Sequence, residues 1–219
     1  MKRDLVTAGI GIIVLTLLCG VVYPLLITGV SQVAFPGNAD GQQIFVHGKL
    51  VGSKIIGQNF ADQTYRHGKP VLTSAGVPVT VPDPRYFQTR PSGTAPSDNA
   101  AATAFANYGP NSTITLKALQ SNIAAYIALN GRYYPGGLTA AKIPVDAADT
   151  SASGIDPQIS VANADIQAYR IAAVRRLPLA TVHRLISDYT SGRGLGFSGE
   201  PGVDVLECNL ALDRLTGRR

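Results

Sequence analysis

The chain has 219 residues, 45% of them hydrophobic and 15% charged, a composition that excludes a disordered protein and leaves room for one domain with a real core. Its formal charge of +5 is dispersed, with no basic run longer than the pairs Arg175-Arg176 and Arg218-Arg219, which excludes a clustered nucleic-acid footprint. The two cysteines, Cys19 and Cys208, lie too far apart in character to pair within one chain, one in an apolar run and one near the carboxyl end, so no disulfide framework is expected.

Directly after Met-Lys-Arg-Asp comes an uncharged run from Leu5 to Ala39. A helix needs about 20 apolar residues to cross a bilayer core, and Leu5–Val30 supplies them, interrupted only by the small Gly9, Gly11 and Gly20. The apolar core exceeds that of a signal peptide, the cleavage candidate Gly29-Val30-Ser31 is poor, and Leu17-Leu18 before Cys19 argues against a lipoprotein, so a retained anchor is expected. Lys2 and Arg3 on its leading flank place the amino terminus in the cytoplasm and residues from about Phe35 onward outside the inner membrane. Tyr23-Pro24 falls within the outer half of this helix. It reads either as a tolerated kink or as a place where a neighbouring helix satisfies the freed carbonyl. Thr7, Gly11, Thr28 and Gly29 mark a face that another helix can approach. The expected organisation is a stub and transmembrane helix over residues 1–34 and one extracytoplasmic domain over residues 35–219.

Phe35-Pro36-Gly37-Asn38 is an exit turn, and Ile44–Ile56 reads as a hairpin around His47-Gly48-Lys49. Residues 61–100, rich in Pro, Gly, Ser and Thr, read as surface loop carrying two imperfect copies of one pattern, Tyr65–Pro70 and Tyr86–Pro91. Asp98–Asn107 is alanine-rich and predicts a helix. Ser112–Asn130 predicts a longer one, with Leu116, Leu119, Ile123 and Ile127 as its stripe and Gly131 closing it. Ile143–Ile159 is mostly irregular. Ser160 caps a helix running to about Arg176, its inner face marked by Ala162, Ile166, Tyr169 and Ala173, and Leu177-Pro178 ends it. Ala180–Tyr189 is a further helix, with Val182, Leu185, Ile186 and Tyr189 inward. A glycine-rich turn over Gly192–Gly202 precedes a strand at Val203–Glu207 and a short helical tail at Leu210–Leu215. Several helices on a small sheet make the expected fold class α+β.

No catalytic pattern emerges from the residues. His47, His67 and His183 are scattered, without zinc-ligand spacing. Gly194–Gly199 matches the dinucleotide pattern G-x-G-x-x-G, but Glu200-Pro201-Gly202 stands where a helix should begin. No phosphate loop ending in Gly-Lys-Ser/Thr occurs, and Ser151 and Ser153 lack a nucleophile elbow or a Ser-x-x-Lys pair. Asp146 and Asp149 are close but have no evident third ligand. The residues alone favour a membrane-anchored binding or accessory domain over an enzyme.

A series of segments in order resembles one family. It begins with Val22-Tyr23-Pro24-Leu25-Leu26 and continues with Gly52-Ser53-Lys54-Ile55-Ile56-Gly57-Gln58-Asn59-Phe60 and Tyr86-Phe87-Gln88-Thr89-Arg90-Pro91-Ser92. It resumes at Ile143-Pro144-Val145-Asp146, Ser151-Ala152-Ser153-Gly154-Ile155-Asp156-Pro157-Gln158-Ile159-Ser160 and Gln167-Ala168-Tyr169-Arg170-Ile171-Ala172. Gly199-Glu200-Pro201, Val203-Asp204-Val205-Leu206 and Asn209-Leu210-Ala211-Leu212-Asp213 complete it. Together they resemble the small C subunit of the bacterial high-affinity potassium-transporting P-type ATPase, the Kdp complex. Residues 61–84 depart from that pattern as an insertion. Gln158 stands where the family often has histidine, Asp204 where it often has asparagine, and the family's Ser-Gly-Gly-Ser-Asn segment is reduced to Ala106–Asn111.

The resemblance implies a non-catalytic accessory subunit with three partner proteins: a channel-like potassium-binding subunit, a P-type ATPase catalytic subunit and a small single-helix membrane peptide. It implies contact with the lipid bilayer, no nucleic acid and no cofactor of the chain's own, with ATP and Mg acting through the partner ATPase. A nucleotide-affinity role proposed for the family would have to be allosteric here, because a domain outside the membrane cannot reach cytoplasmic ATP. The candidate interaction residues are Tyr23, Pro24, Gly57, Gln58, Phe60, Tyr86, Phe87, Arg90, Asp156, Gln167 and Arg170. For Arg90 and Arg170 the favoured reading is internal bracing by the guanidinium fork. Gly57, Gly154 and Pro157 are expected to fix turns, and Asp62, Asp83, Asp146, Asp149 and Asp156 to face a cation entrance. The alternative is a tethered binding module or hydrolase unrelated to transport.

Overall fold

The computed structural model describes residues 2–102, 108–109 and 111–217. By its internal contacts the chain divides into two compact units, one ending at Ser53 and the other starting at Lys54.

The first unit opens with a continuous helix, Lys2–Ala34, long and apolar enough to cross a membrane. It consists of α1 (Lys2–Leu17), a π turn (Leu18–Val22) and α2 (Tyr23–Ala34). The π turn has a local cause. Pro24 brings no N–H, and its ring would crowd a carbonyl of the preceding turn in a regular helix. The chain widens just before it, and Tyr23 N–H donates to the Leu18 carbonyl five residues back. Thr7 and Thr28 donate their hydroxyls to Arg3 O and Pro24 O of the same helix. The short α3 (Pro36–Ala39) and the hairpin β1 (Gln43–Val46) and β2 (Lys49–Ser53) follow, with His47-Gly48 at the turn as the sequence predicts.

The second unit is α+β. Residues 61–82 are not the irregular loop expected from composition but two nested hairpins. β3 (Ala61–Gln63) pairs with β6 (Thr80–Pro82), and inside them β4 (Tyr65–Arg66) pairs with β5 (Lys69–Pro70). Strands of two or three residues carry too little apolar alternation to show in a sequence rich in Pro and Gly. The predicted helix at Asp98–Asn107 is absent over residues 98–102, which form turns; the rest of that stretch lies outside the described residues.

α4 (Thr113–Asn130) is capped by Ser112, whose hydroxyl accepts from Thr115 N–H. Three of the four residues of its expected stripe face inward. Leu119, Ile123 and Ile127 are partly buried, but Leu116 is exposed, and the inner face is anchored by polar side chains, Asn122, Tyr126 and Asn130. A 3₁₀ turn (Ala140–Lys142) and α5 (Val145–Ala148) lead into β7 (Gln158–Ser160) and then α6 (Val161–Arg175). α7 (Leu179–Asp188), β8 (Thr190–Ser191), β9 (Gly202–Asp204) and α8 (Val205–Thr216) complete the fold.

The sheet order is β7-β9-β8, all antiparallel, with Ile159 opposite Val203 and Thr190 opposite Val203. The expected strand at Val203–Glu207 therefore stops at Asp204. That side chain accepts from Glu207 N–H and starts α8 several residues before the expected tail helix. Against this sheet α6, α7 and α8 bury Ile159, Ala164, Ala168, Ile171, Val182, Ile186, Val203, Val205 and Leu212 around Phe87. The inner face of α6 is rotated from the expected one. Ile166 is buried as expected, but Ala162 and Ala173 are exposed, while Asn163, Gln167 and Arg170 are inside.

Candidate functional site

What Asn163, Gln167 and Arg170 face is backbone. The irregular segment 83–91 threads through the second unit with Phe87 fully buried, so its amides and carbonyls need partners inside the protein. Side chains of α6 and α8 supply them. Asn209 accepts from Phe87 N–H at 2.8 Å and donates to Phe87 O at 2.9 Å. Gln167 does the same for the next residue, accepting from Gln88 N–H at 2.8 Å and donating to Gln88 O at 3.1 Å. The two amide side chains thus grip adjacent peptide units as neighbouring strands would. Arg170 spreads its fork over Pro84 O, Tyr86 O, Asn130 Oδ1 and Gln167 Oε1. The Gln88 amide donates in turn to Phe60 O at 2.9 Å and Asp83 O at 3.0 Å.

Arg170 is 0% exposed. Burial lowers its pKa to about 10, so it stays charged at neutral pH while neutral carbonyls and amides carry its hydrogen bonds. A second layer extends the network. Asn163 Oδ1 accepts from Gln167 and from the Tyr126 hydroxyl, and Asn163 donates to Asp146. Asp146 also accepts from Ser160 N–H and its hydroxyl, tying α5 to the cap of α6. At the other end the Tyr86 hydroxyl donates to Asp213, which also accepts from Arg175, and the Arg175 guanidinium lies over the Tyr86 ring at 4.7 Å. Burial, and then that bond to Asp213, raise the Tyr86 pKa.

The family-like segment at 151–157 closes against the far end of the pinned segment. Ser151 N–H donates to Pro91 O at 2.8 Å, Ser92 Oγ to Gly154 O at 2.6 Å, and Arg90 to Asp156 at 2.9 Å. Two glycines are required here. Gly57 donates its N–H to Ile155 O, and a Cβ on it would lie 2.5 Å from Asp156 O. Gly154 holds φ at +77°, and a Cβ on it would lie 2.6 Å from Thr94 Cγ2. Asp98, bonded by Thr89 and 6 residues from Ser92 in this loop cluster, has its pKa pushed up to about 6 by burial, against a bond from Thr89 that lowers it. The native state therefore binds this proton more tightly than the unfolded chain. The resulting stability is full below the unfolded value of 3.8 and is lost as pH rises through about 6. Asp98→Asn is expected to flatten the stability slope between about pH 4 and 6 and to raise stability at pH 7, read as urea midpoints across that range.

These contacts place the sequence-predicted residues. Gly57, Phe60, Tyr86, Phe87, Arg90, Asp156, Gln167 and Arg170 all lie in or around one internal frame, and Gln58 is half-buried next to Gly57 in the chain. Phe87, Gln167 and Arg170 are fully buried, and Arg90 and Arg170 brace loops as the favoured reading had it. Tyr23 and Pro24 are exposed on the helix of the first unit. Of the acids expected at a cation entrance, Asp83 is 3% exposed and ion-paired with Arg85, and Asp146 is spent on the α6 cap. Asp156 is paired with Arg90. Asn130, Asn163, Asn209, Asp213 and Arg175 were missed. The spacing of Asn163, Gln167 and Arg170, one helical face of polar side chains, was the signal available. Among the described residues no three His, Cys, Asp or Glu side chains converge to hold a metal ion.

Residues 5–214 match the family model described as KdpC, the K⁺-transporting ATPase c chain. The chain is 40% identical over 215 residues to the potassium-transporting ATPase KdpC subunit of Mycobacterium tuberculosis (strain ATCC 25618 / H37Rv), covering 98% of this chain and 100% of that protein. The KdpC subunits of Methylococcus capsulatus and Methylibium petroleiphilum are 42% and 43% identical, over 93% and 94% of this chain and 94% and 92% of those proteins.

Proposed function

The chain belongs to the KdpC family, the c chains of K⁺-transporting ATPases, and on that premise we propose that it is the non-catalytic accessory subunit of an ATP-driven, high-affinity potassium uptake complex. Its helix crosses the inner membrane with Lys2 and Arg3 in the cytoplasm, and the rest of the chain lies outside. The helix packs on the channel-like, potassium-binding subunit near the Tyr23-Pro24 π turn. The outer part braces the extracytoplasmic side of that subunit. A P-type ATPase subunit and a small single-helix peptide complete the assembly. ATP and Mg act through the ATPase subunit, which is where nucleotide binding resides.

The observation that carries this reading is the pinned segment 83–91. The polar side chains of the family-like motifs, Gln167, Arg170 and Asn209, are engaged in holding backbone. A domain built this way is pre-organised, as a brace that must not deform on contact requires. The test is growth of a deletion strain at limiting potassium. Complementation by the full chain and failure by a chain whose Leu5–Val30 is replaced with an unrelated single-pass helix supports the reading. Full complementation by the swapped chain overturns the packing of this helix on the channel-like subunit and leaves the outer part to carry the accessory role, whereas failure of the full chain itself to complement restores the module unrelated to transport.

A further inference from the structure

Residues 92–99 form a loop tied mostly to itself by two hydroxyls. Ser92 Oγ accepts from Thr94 N–H at 3.2 Å and from Asp98 N–H at 3.0 Å. Thr94 Oγ1 accepts from Asn99 N–H at 3.0 Å. Thr94 is buried, but Gly93, Ala95, Pro96 and Ser97 are exposed, so no large apolar side chain anchors the loop. Its ties to the facing segment 151–156 are slight. Ser92 Oγ donates to Gly154 O, and the Thr94 methyl occupies the space a Cβ on Gly154 would need. A segment held this way opens at low cost, without the core.

Asp98 sits where the loop closes. Among the described residues its carboxylate has one hydrogen bond, a long one of 3.3 Å from the Thr89 hydroxyl. A carboxylate buried with so little bonding needs a cation, and the charges around it do not supply one. From segment 151–156 the group that acts on it is Asp156, a like charge. From segment 89–91 the one charged side chain is Arg90, which is committed to Asp156 at 2.9 Å and stands 3.9 Å from Asp149. The other residues of the loop carry no charge. With Asp98 ionised, three carboxylates therefore share one guanidinium. A proton on Asp98 removes both its repulsion with Asp156 and the cost of burying its charge. We propose that residues 92–99 are a proton-operated latch, closed on segment 151–156 while Asp98 carries a proton and released when it ionises. Release lets the carboxylate reach water without unfolding the domain. It also loosens the joint of Ser151 with Pro91 and of Asp156 with Arg90, where the far end of the pinned segment is held. That the latch reads the pH outside the membrane rests on the topology proposed above, whereas the opening itself is a property of this chain.

The experiment is hydrogen exchange of the full chain in mild detergent, read by mass spectrometry at about pH 4.5 and about pH 7. Each rate is expressed as protection relative to an unstructured peptide at the same pH. The Asp98 carboxyl titrates at about 6 in the closed loop and at its ordinary 3.8 in the released one, so closure is full below 3.8 and is lost as pH rises through about 6. Protection of the Thr94, Asp98 and Asn99 amides is expected to lie below that of α8 at both values and to fall about 25-fold from the lower to the higher. Asp98→Asn, uncharged and suited to the left-handed φ of +57° at this position, is expected to hold it level. Equal protection at both values overturns the latch. An equal fall in Asp98→Asn overturns it too and assigns the change to another group. Loop amides that exchange only as slowly as those of α8 also overturn it, because opening then means unfolding the domain. The parent chain alone decides the first and last of these, and all three leave the accessory-subunit reading standing.

Discussion

Arg170→Met is expected to destabilise the second unit by about 3–5 kcal/mol, the cost of stripping a buried, multiply bonded cation from its partners. The substitution keeps the volume but leaves Pro84 O, Tyr86 O and Asn130 Oδ1 facing an apolar side chain. Against a total of about 5–15 kcal/mol for a domain, that loss brings the fold close to its limit. Arg170→Lys is expected to recover only a small part of it, because one compact ammonium cannot reach acceptors spread over four separate residues as the guanidinium fork does. Urea unfolding of the full chain in detergent, followed by the near-ultraviolet tyrosine signal, checks the ranking. A Met variant with a parental midpoint would show that the segment 83–91 is held by something else.

Asn209→Leu is expected to cost about 2–4 kcal/mol by the same logic on a smaller scale, since it orphans both the N–H and the carbonyl of the fully buried Phe87. Asn209→Asp separates the two halves of that grip. The carboxylate still accepts from Phe87 N–H but sets a charge against Phe87 O, so it is expected to be no better than leucine at neutral pH. Because Asn209 and Arg170 hold the same segment, their losses are expected to be less than additive: once one grip is lost, part of what the other secured is already gone. A double-mutant cycle by urea denaturation reads that coupling, and strict additivity would mean the two sites act on independent parts of the structure.

The parts of this fold that were legible in the sequence are those governed by local rules. The apolar run shows the first helix, Ser112 and Ser160 show the caps of α4 and α6, and His47-Gly48 shows the first hairpin. The parts that were not legible depend on distant partners. The inner face of α6 carries Asn163, Gln167 and Arg170 because it packs on unpaired backbone, and an apolar stripe search passes over them. Val203–Glu207 alternates like a strand, but Asp204 becomes a helix cap once α8 docks on the core. The two Tyr…Pro copies look alike in sequence yet differ in structure. Tyr65–Pro70 is an exposed hairpin, whereas Tyr86–Pro91 belongs to the segment gripped from both sides. Neither fate is encoded within six residues. The family-like motifs were legible as an ordered series, and the structure gives their physical content: most of them are the two sides of one internal frame.

The central claim is that this chain works as a structural part of a multi-subunit transporter. The most direct measurement is purification of the tagged chain in mild detergent from cells starved of potassium, with the companions identified and quantified by mass spectrometry. The account predicts stoichiometric recovery of a P-type ATPase subunit and a channel-like subunit. Recovery of the chain alone, under conditions where those proteins are expressed, would contradict it.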